Sequence, residues 1–356
     1  MFCAGGQPVP RVTVQALPQY DDLFSNEDGW TGADGAYSVA LNQNEIAWFF
    51  GDTWIGQIKN GRHVHATLVN NSVAVQRHRN PAEAEINFYF GRTGDGSPAA
   101  LIRPADGRGW FWLFDGVMTA DGLYLFLIQI ERTAGNALFD FKVIGAWLGH
   151  VANPQEPPSA WRVGQSRIPW SEFSASETIL WGSAVLQIGN ILYIYGTAED
   201  AGDKVHQKQM ILARVPVSRL ADYSHWRFFA DGRWISDFRQ ASRLSAHMPH
   251  EYSVSYMPAL KHYVTVYSQD GLSKDILARL SAEPYGPWSD PIQIYQCPEA
   301  EWDPSIFCYA AKAHAILAQK PDQLIITYIA NSVDFNKTAN DARLYRPRFL
   351  RVTFKR

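Results

Sequence analysis

Apolar runs of strand length, bounded by Gly, Asp, Asn and Ser, recur along the whole chain. Nowhere do apolar positions hold a helical period for several turns. The runs come in pairs: a short strand leads through a tight polar link into a second segment that is strictly apolar. That second segment ends in Gly, Ser, Thr, Asn or an acidic residue. The pairs fall at residues 37–52, 112–131, 181–197, 251–268 and 312–331, and Asp121-Gly122 in the second is a strong two-residue hairpin signal. A further strand follows each pair, at 67–75, 141–148, 209–215, 274–280 and 344–354, and Trp161, Trp226 and Trp288 lie beyond three of them. A unit repeated five times, about 60 to 80 residues apart, predicts an all-β chain folded as a five-bladed β-propeller. The expected organisation is one domain over residues 1–356, with residues 1–30 leading into the first blade. A pair of β-sandwiches would explain the strand density but not the repeated hairpin.

In a propeller the lead-in to each first strand and the end of each second strand lie at one face. The first pair therefore brings Asp34 and Asp52 to one rim. The other pairs add Trp112 and Glu131; Glu177, Trp181 and Glu199; Glu251 and Asp270; and Tyr309, Lys312 and Asn331. An acidic, aromatic mouth suits a carbohydrate. Glycosidic cleavage needs one carboxylic acid to protonate the leaving oxygen and one carboxylate to activate water or attack directly. Asp34, Asp52, Glu251 and Glu177 are the catalytic candidates: Asp34 as general base or nucleophile, Asp52 as the partner acid or a modulator of its pKa, and Glu251 or Glu177 as the remaining carboxylate. Trp54, Trp112, Asp115, Trp181, Tyr309, His314 and Arg346 are the candidates for sugar contact. Asp34 sits between Gly32 and Gly35, in a turn that lets a ligand approach the backbone closely. Taken alone it also reads as a turn-forming Asp, and Asp52 as a strand-end cap. His314 reads equally well as a satisfied core histidine, and Arg346 as paired surface charge.

Composition narrows the function classes. The chain has 356 residues, 46% of them hydrophobic, enough to bury a large core. A net charge of −3 without a basic run argues against nucleic acid as a partner. No apolar stretch approaches the roughly 20 residues of a membrane span. Aromatic residues reach 13%, which fits strands and sugar-stacking surfaces alike. Cys3, Cys297 and Cys308 show no Cys-x-x-Cys spacing; Cys297 and Cys308 would bridge in an exported protein, and free buried thiols are the expectation. The start, Met1-Phe-Cys-Ala-Gly-Gly-Gln-Pro8, has neither the basic nor the apolar region of a secretory signal, and the compartment stays open. His63 and His65 alternate on one strand and lack further ligand spacing, so no metal or cofactor is expected; a structural channel ion such as calcium is compatible with a propeller but nothing in the sequence indicates one.

Several of these segments resemble one family. Asp34-Gly-x-x-Ser38 with Trp48-Phe-Phe-Gly-Asp-Thr-Trp54 is similar to the opening of a bacterial five-bladed propeller family long filed as a domain of unknown function. Glu251-x-Ser-Val with Tyr263-Val-x-x-Tyr267 resembles its middle. Tyr309-x-x-Lys-Ala-His314, Leu324-Ile-Ile-Thr-Tyr328-x-x-Asn331 and Leu344-Tyr-Arg-Pro-Arg-Phe349 resemble its closing blade. The resemblance implies a link to endo-acting D-arabinanases and to the furanosidase propellers: arabinanases, xylosidases, invertases and levansucrases. It implies Asp34 as the first-blade carboxylate and Asp52 as its partner or the acid, with Glu177 and Glu251 both eligible as the later-blade Glu. The expected activity is hydrolysis of an arabinan-like furanoside glycan. The alternatives are a non-catalytic carbohydrate-binding propeller and a scaffold for protein partners.

Overall fold

The computed structural model describes residues 10–135, 140–200 and 207–355; Cys3 and the Met1–Pro8 start lie outside the described residues. The chain is all-β, and each of the five hairpins opens an antiparallel sheet. The first sheet runs Tyr37–Ala40, Glu45–Phe50, Ser72–Arg77 and Glu85–Tyr89, and the second Trp110–Thr119, Gly122–Arg132, Phe141–Val151 and Val163–Arg167. The third is built on Glu177–Ile188, Ile191–Asp200, Gln209–Pro216 and Arg227–Ala230, with short strands added at its edges. The fourth runs Tyr252–Met257, His262–Ser268, Asp275–Ser281 and Ile292–Gln296. The fifth takes Ile306–Ala313, Gln323–Ser332 and Pro347–Lys355 from the end of the chain and Arg11–Ala16 from its beginning. Each second strand is apolar on both faces because it is covered on both. Leu123 to Ile130 and Ile46 to Phe50 are buried without a break.

The first strands of successive sheets pack against one another in chain order. The fifth returns to the first through side chains. Lys312 Nζ donates to the Gly35 carbonyl, Tyr309 Oη donates to Asp34 at 2.8 Å, and Ser38 Oγ and His314 Nδ1 are hydrogen-bonded at 2.7 Å. The first strands thus close a ring around one axis. No helix among the described residues is long and apolar enough to cross a membrane.

Four details differ from the expectations. Residues 67–75 are not one strand: Arg62–Val69 belongs to a separate three-stranded sheet with Asp28–Ala33 and Thr53–Lys59, and the first sheet resumes at Ser72. The buried Asn71 makes the break, donating to the Ile102 and Phe111 carbonyls at 2.8 and 2.9 Å and accepting from the Ile102 amide. The fifth hairpin begins at Ile306 rather than Lys312, because a bulge at Ala310, with φ 58°, carries the strand past Tyr309 to Ala313. The segment before residue 30 does not simply lead into the first sheet, since Arg11–Ala16 pairs with Pro347–Lys355 in the fifth. Cys297 and Cys308 are bonded to each other rather than free. Cys297 follows the last strand of the fourth sheet and Cys308 sits on the first strand of the fifth, with Cα atoms 6.6 Å apart.

Candidate active site

At one end of the ring a cavity of about 380 Å³ is lined by Asp34, Asp52, Trp54 and Trp112, by Glu251 and Asp270, and by Tyr309, Asn331 and Tyr345. The two aspartates are fixed by backbone pairing beyond the ends of their strands. The Asp34 amide donates to the Asp52 carbonyl at 3.2 Å, and the Gly51 amide donates to the Asp34 carbonyl at 3.1 Å. Gly35, at φ 82°, turns the chain into Tyr37–Ala40. Gly51 is required for a different reason: a Cβ there would collide with Asp34 Oδ1. Gly51→Ala is therefore expected to cost roughly 1–3 kcal/mol, the usual price of overpacking a tight site, read as a lowered midpoint in urea denaturation.

Asp34 Oδ2 accepts two phenolic hydrogen bonds, from Tyr309 at 2.8 Å and Tyr345 at 2.9 Å. Tyr345 holds a left-handed backbone, φ 61°, and its carbonyl lies so close to Gly32 that any side chain there would strike it. Burial and the nearby carboxylates of Asp52 and Glu251 hold the Asp34 carboxyl well above the usual range, and the two tyrosines only partly offset them. Asp52 has different neighbours. Its Oδ1 accepts from Trp112 Nε1 at 3.0 Å and from Asn70 Nδ2 at 3.2 Å, and burial pushes it up to about 6 against the pull of those donors and Arg132. Glu251 pairs with Lys312, Oε1 to Nζ 3.2 Å. The buried Lys312 also donates to the Gly35 and Ala310 carbonyls and lies 4.4 Å from the Tyr37 ring centre. Burial pulls the lysine below its ordinary value, while Glu251, Asp34 and Asp115 pull the other way. The result is four carboxylates, Asp34, Asp52, Glu251 and Asp270, lining one cavity, with the buried Lys312 ammonium paired to Glu251.

A family profile described as "Domain of unknown function (DUF5005)" matches residues 18–354. The chain belongs to the DUF5005 family. No curated protein matches it. Among solved structures, this DUF5005 chain is similar to a protein of Bacteroides ovatus ATCC 8483 provisionally described as a hydrolase. That match has 19% identity and a TM-score of 0.74, and covers 99% of this chain and 93% of the other. A thermostable family-43 glycoside hydrolase is 12% identical at a TM-score of 0.50, over 91% of this chain and 89% of the other. A xylan β-1,4-xylosidase of Bacillus halodurans C-125 is 8% identical at 0.53, over 92% of this chain but 53% of that one. At these identities the likeness concerns the fold, a β-propeller.

The structure places other expected residues of the DUF5005 chain away from the cavity. Glu177 is tied to Arg243 at 2.7 Å, leaving Glu251 as the later-sheet glutamate that lines it. Trp181 is wholly buried, donates to the Trp170 carbonyl at 2.7 Å and packs on Phe228. His314 is also core: Ser38 and Thr327 engage its two ring nitrogens, Trp48 covers it, and burial depresses it to about 3. Asp115 lies in a bulge of Trp110–Thr119, where it accepts from the Val185 amide at 2.7 Å and the Gly116 amide at 2.8 Å. It clamps the second sheet to the third, and burial raises it to about 7. Arg346 donates to Ser25 Oγ at 2.5 Å, outside the cavity. Glu131 pairs with Arg108 and Lys142.

Tyr345, by contrast, is a site residue that the sequence pattern does not mark. Its only mark in the sequence is its place in Leu344-Tyr-Arg-Pro-Arg, since its left-handed backbone is invisible there. His63 stacks on Trp54 with ring centres 5.0 Å apart and shares a 3.1 Å hydrogen bond with Thr31, a packing role. Among the described residues, Cys297, Glu299 and Cys308 bring metal-ligating atoms close together, but those sulfurs are bonded to each other and lie apart from the cavity.

Proposed function

We propose that this DUF5005 chain is a five-bladed β-propeller glycoside hydrolase that cleaves a furanoside-containing, arabinan-like glycan. The ring of five sheets, closed by the N-terminal strand, supports the blade count. The observation that carries the activity is the gathering of Asp34, Asp52 and Glu251 at one cavity beside Trp54 and Trp112. The family-43 glycoside hydrolase and the xylosidase that share the fold support the same class.

Cleavage needs a proton donor and an ionised partner in one site. Asp34 faces two carboxylates, whereas Asp52 faces an indole and an amide that stabilise its charge. The pair therefore releases its first proton mainly from Asp52 and its second mainly from Asp34. In this reading the roles expected from the sequence are exchanged, and Asp34 donates the proton to the leaving oxygen. Asp52 acts as base or nucleophile, and Glu251, anchored by Lys312, keeps Asp34 protonated. Trp54 and Trp112 offer apolar faces for the sugar rings.

Hydrolysis of an arabinan, fructan, xylan and arabinogalactan panel, followed as released reducing ends, tests the reading. Turnover on an arabinofuranoside substrate is expected; binding without turnover across the panel replaces hydrolysis with carbohydrate binding. On an active substrate kcat/KM should fall about tenfold per pH unit below about 6, as Asp52 takes up its proton. A profile flat down to pH 4 would remove Asp52 from the chemistry.

A further inference from the structure

Asp34, Asp52 and Glu251 account for only part of the cavity lining. Its outer wall carries two of the five large apolar side chains that are strongly exposed among the described residues: Leu272, 50% exposed, and Phe335, 43% exposed. Isolated exposed apolar groups are ordinary, but two on the wall of one cavity form a surface that a ligand can cover. Phe335 opens the short helix Phe335–Asn340, and its ring lies 5.5 Å from that of Trp54 at an interplanar angle of 36°. Aromatic surface thus continues from the cavity wall out to solvent.

The helix is tied back to Asp34. Thr338 Oγ1 donates to Asn331 Oδ1 at 2.7 Å, Asn331 is hydrogen-bonded to Tyr309, and Tyr309 donates to Asp34. The cavity, at about 380 Å³, lies near the small end of the roughly 300–1,000 Å³ usual for ligand sites. A polymer bound at Asp34 must therefore leave it across the rim.

We infer that Phe335 and Leu272 form a glycan subsite outside the cleaved bond, which grips a chain extending past the cavity and selects long substrates over short ones. The inference rests on the hydrolase reading for its link to cleavage, but not for binding. An apolar aromatic edge suits the hydrophobic faces of sugar rings and offers no charge to bind an acidic group.

The test compares Phe335→Ala, Leu272→Ala and Phe335→Tyr with the parent protein on arabinan and on a short aryl arabinofuranoside. Retention of each protein in arabinan-containing native gels is measured in parallel. Phe335→Ala should raise KM for the polymer roughly tenfold, the effect of losing one aromatic contact, with kcat and short-substrate kinetics within about twofold. Leu272→Ala should act in the same direction but less, and Phe335→Tyr should restore polymer binding. Equal losses on short and long substrates would overturn the subsite in favour of a structural role for the helix. Unchanged polymer kinetics and retention would overturn it too. If the parent cleaves nothing yet is retained by arabinan, and Phe335→Ala is not, the hydrolase reading falls and the subsite stands. If the parent is neither active nor retained, the subsite falls.

Discussion

Replacing Asp34 by Asn is expected to lower hydrolysis by roughly 10²–10⁴-fold, the contribution of a positioned proton donor, while leaving the protein at least as stable. The amide oxygen still accepts from Tyr309 and Tyr345, so the hydrogen-bonded geometry survives. What is lost is a transferable proton. The sign of the stability change separates this outcome from misfolding. Burial and two neighbouring carboxylates raise the folded-state pKa of Asp34, so its favourable contribution is complete below the unfolded carboxylate pKa. It is lost as pH rises through the raised value. Asn has no such loss. Thermal melts should therefore show Asp34→Asn gaining on the parent as pH rises from 5 to 8, while activity on the substrate found in the panel disappears. Near-normal turnover with a normal melt would remove Asp34 from the reaction.

Lys312→Met is expected to cost roughly 3–5 kcal/mol of folding stability, as when one partner of a buried ion pair is removed. Lys312 is only 1% exposed, and its ammonium is shared by Glu251 of the fourth sheet, Gly35 ahead of the first and Ala310 of the fifth. Methionine fills much of the volume but leaves the carboxylate and two carbonyls facing it without their donor. Urea denaturation of Lys312→Met, Glu251→Gln and the double variant measures this. The double variant should regain part of the loss, because the stranded carboxylate is gone as well. Strictly additive losses would mean that the two side chains act independently.

The repeated hairpins are legible in the sequence because the middle of each second strand is buried on both faces and so is mostly apolar; Leu123 to Ile128 is the clearest case. Asp34 and Asp52 are legible as a pair because only a tight hairpin and flanking glycines separate them in space. Direction is harder to read than position. Asp115 and Trp181 lie on expected strands, yet bulges at Phe114-Asp115 and Gly182-Ser183 decide which way each neighbourhood faces. No local pattern announces those bulges, apart from Gly182 at φ 99°. Glu177 and Glu251 read alike in sequence, and Arg243, 66 positions away, is what draws Glu177 off. Arg11–Ala16 was not expected in a sheet because its partner lies at the other end of the chain.

That last pairing has a consequence for how the molecule is made. Arg11 stands opposite Lys355 and Ala16 opposite Leu350, so Arg11–Ala16 waits for a strand more than 300 residues later before it finds its neighbour. Four sheets can form from contiguous stretches as they emerge from the ribosome. The fifth cannot. Until Pro347–Lys355 has been made, Arg11–Ala16 is an unpaired edge and the ring stands open beside Asp34, whose tyrosine partners both come from the closing sheet's part of the chain. A chain that has not yet made its fifth sheet thus holds all four carboxylates but lacks both phenols that orient Asp34, so the chemistry proposed here waits for closure of the ring.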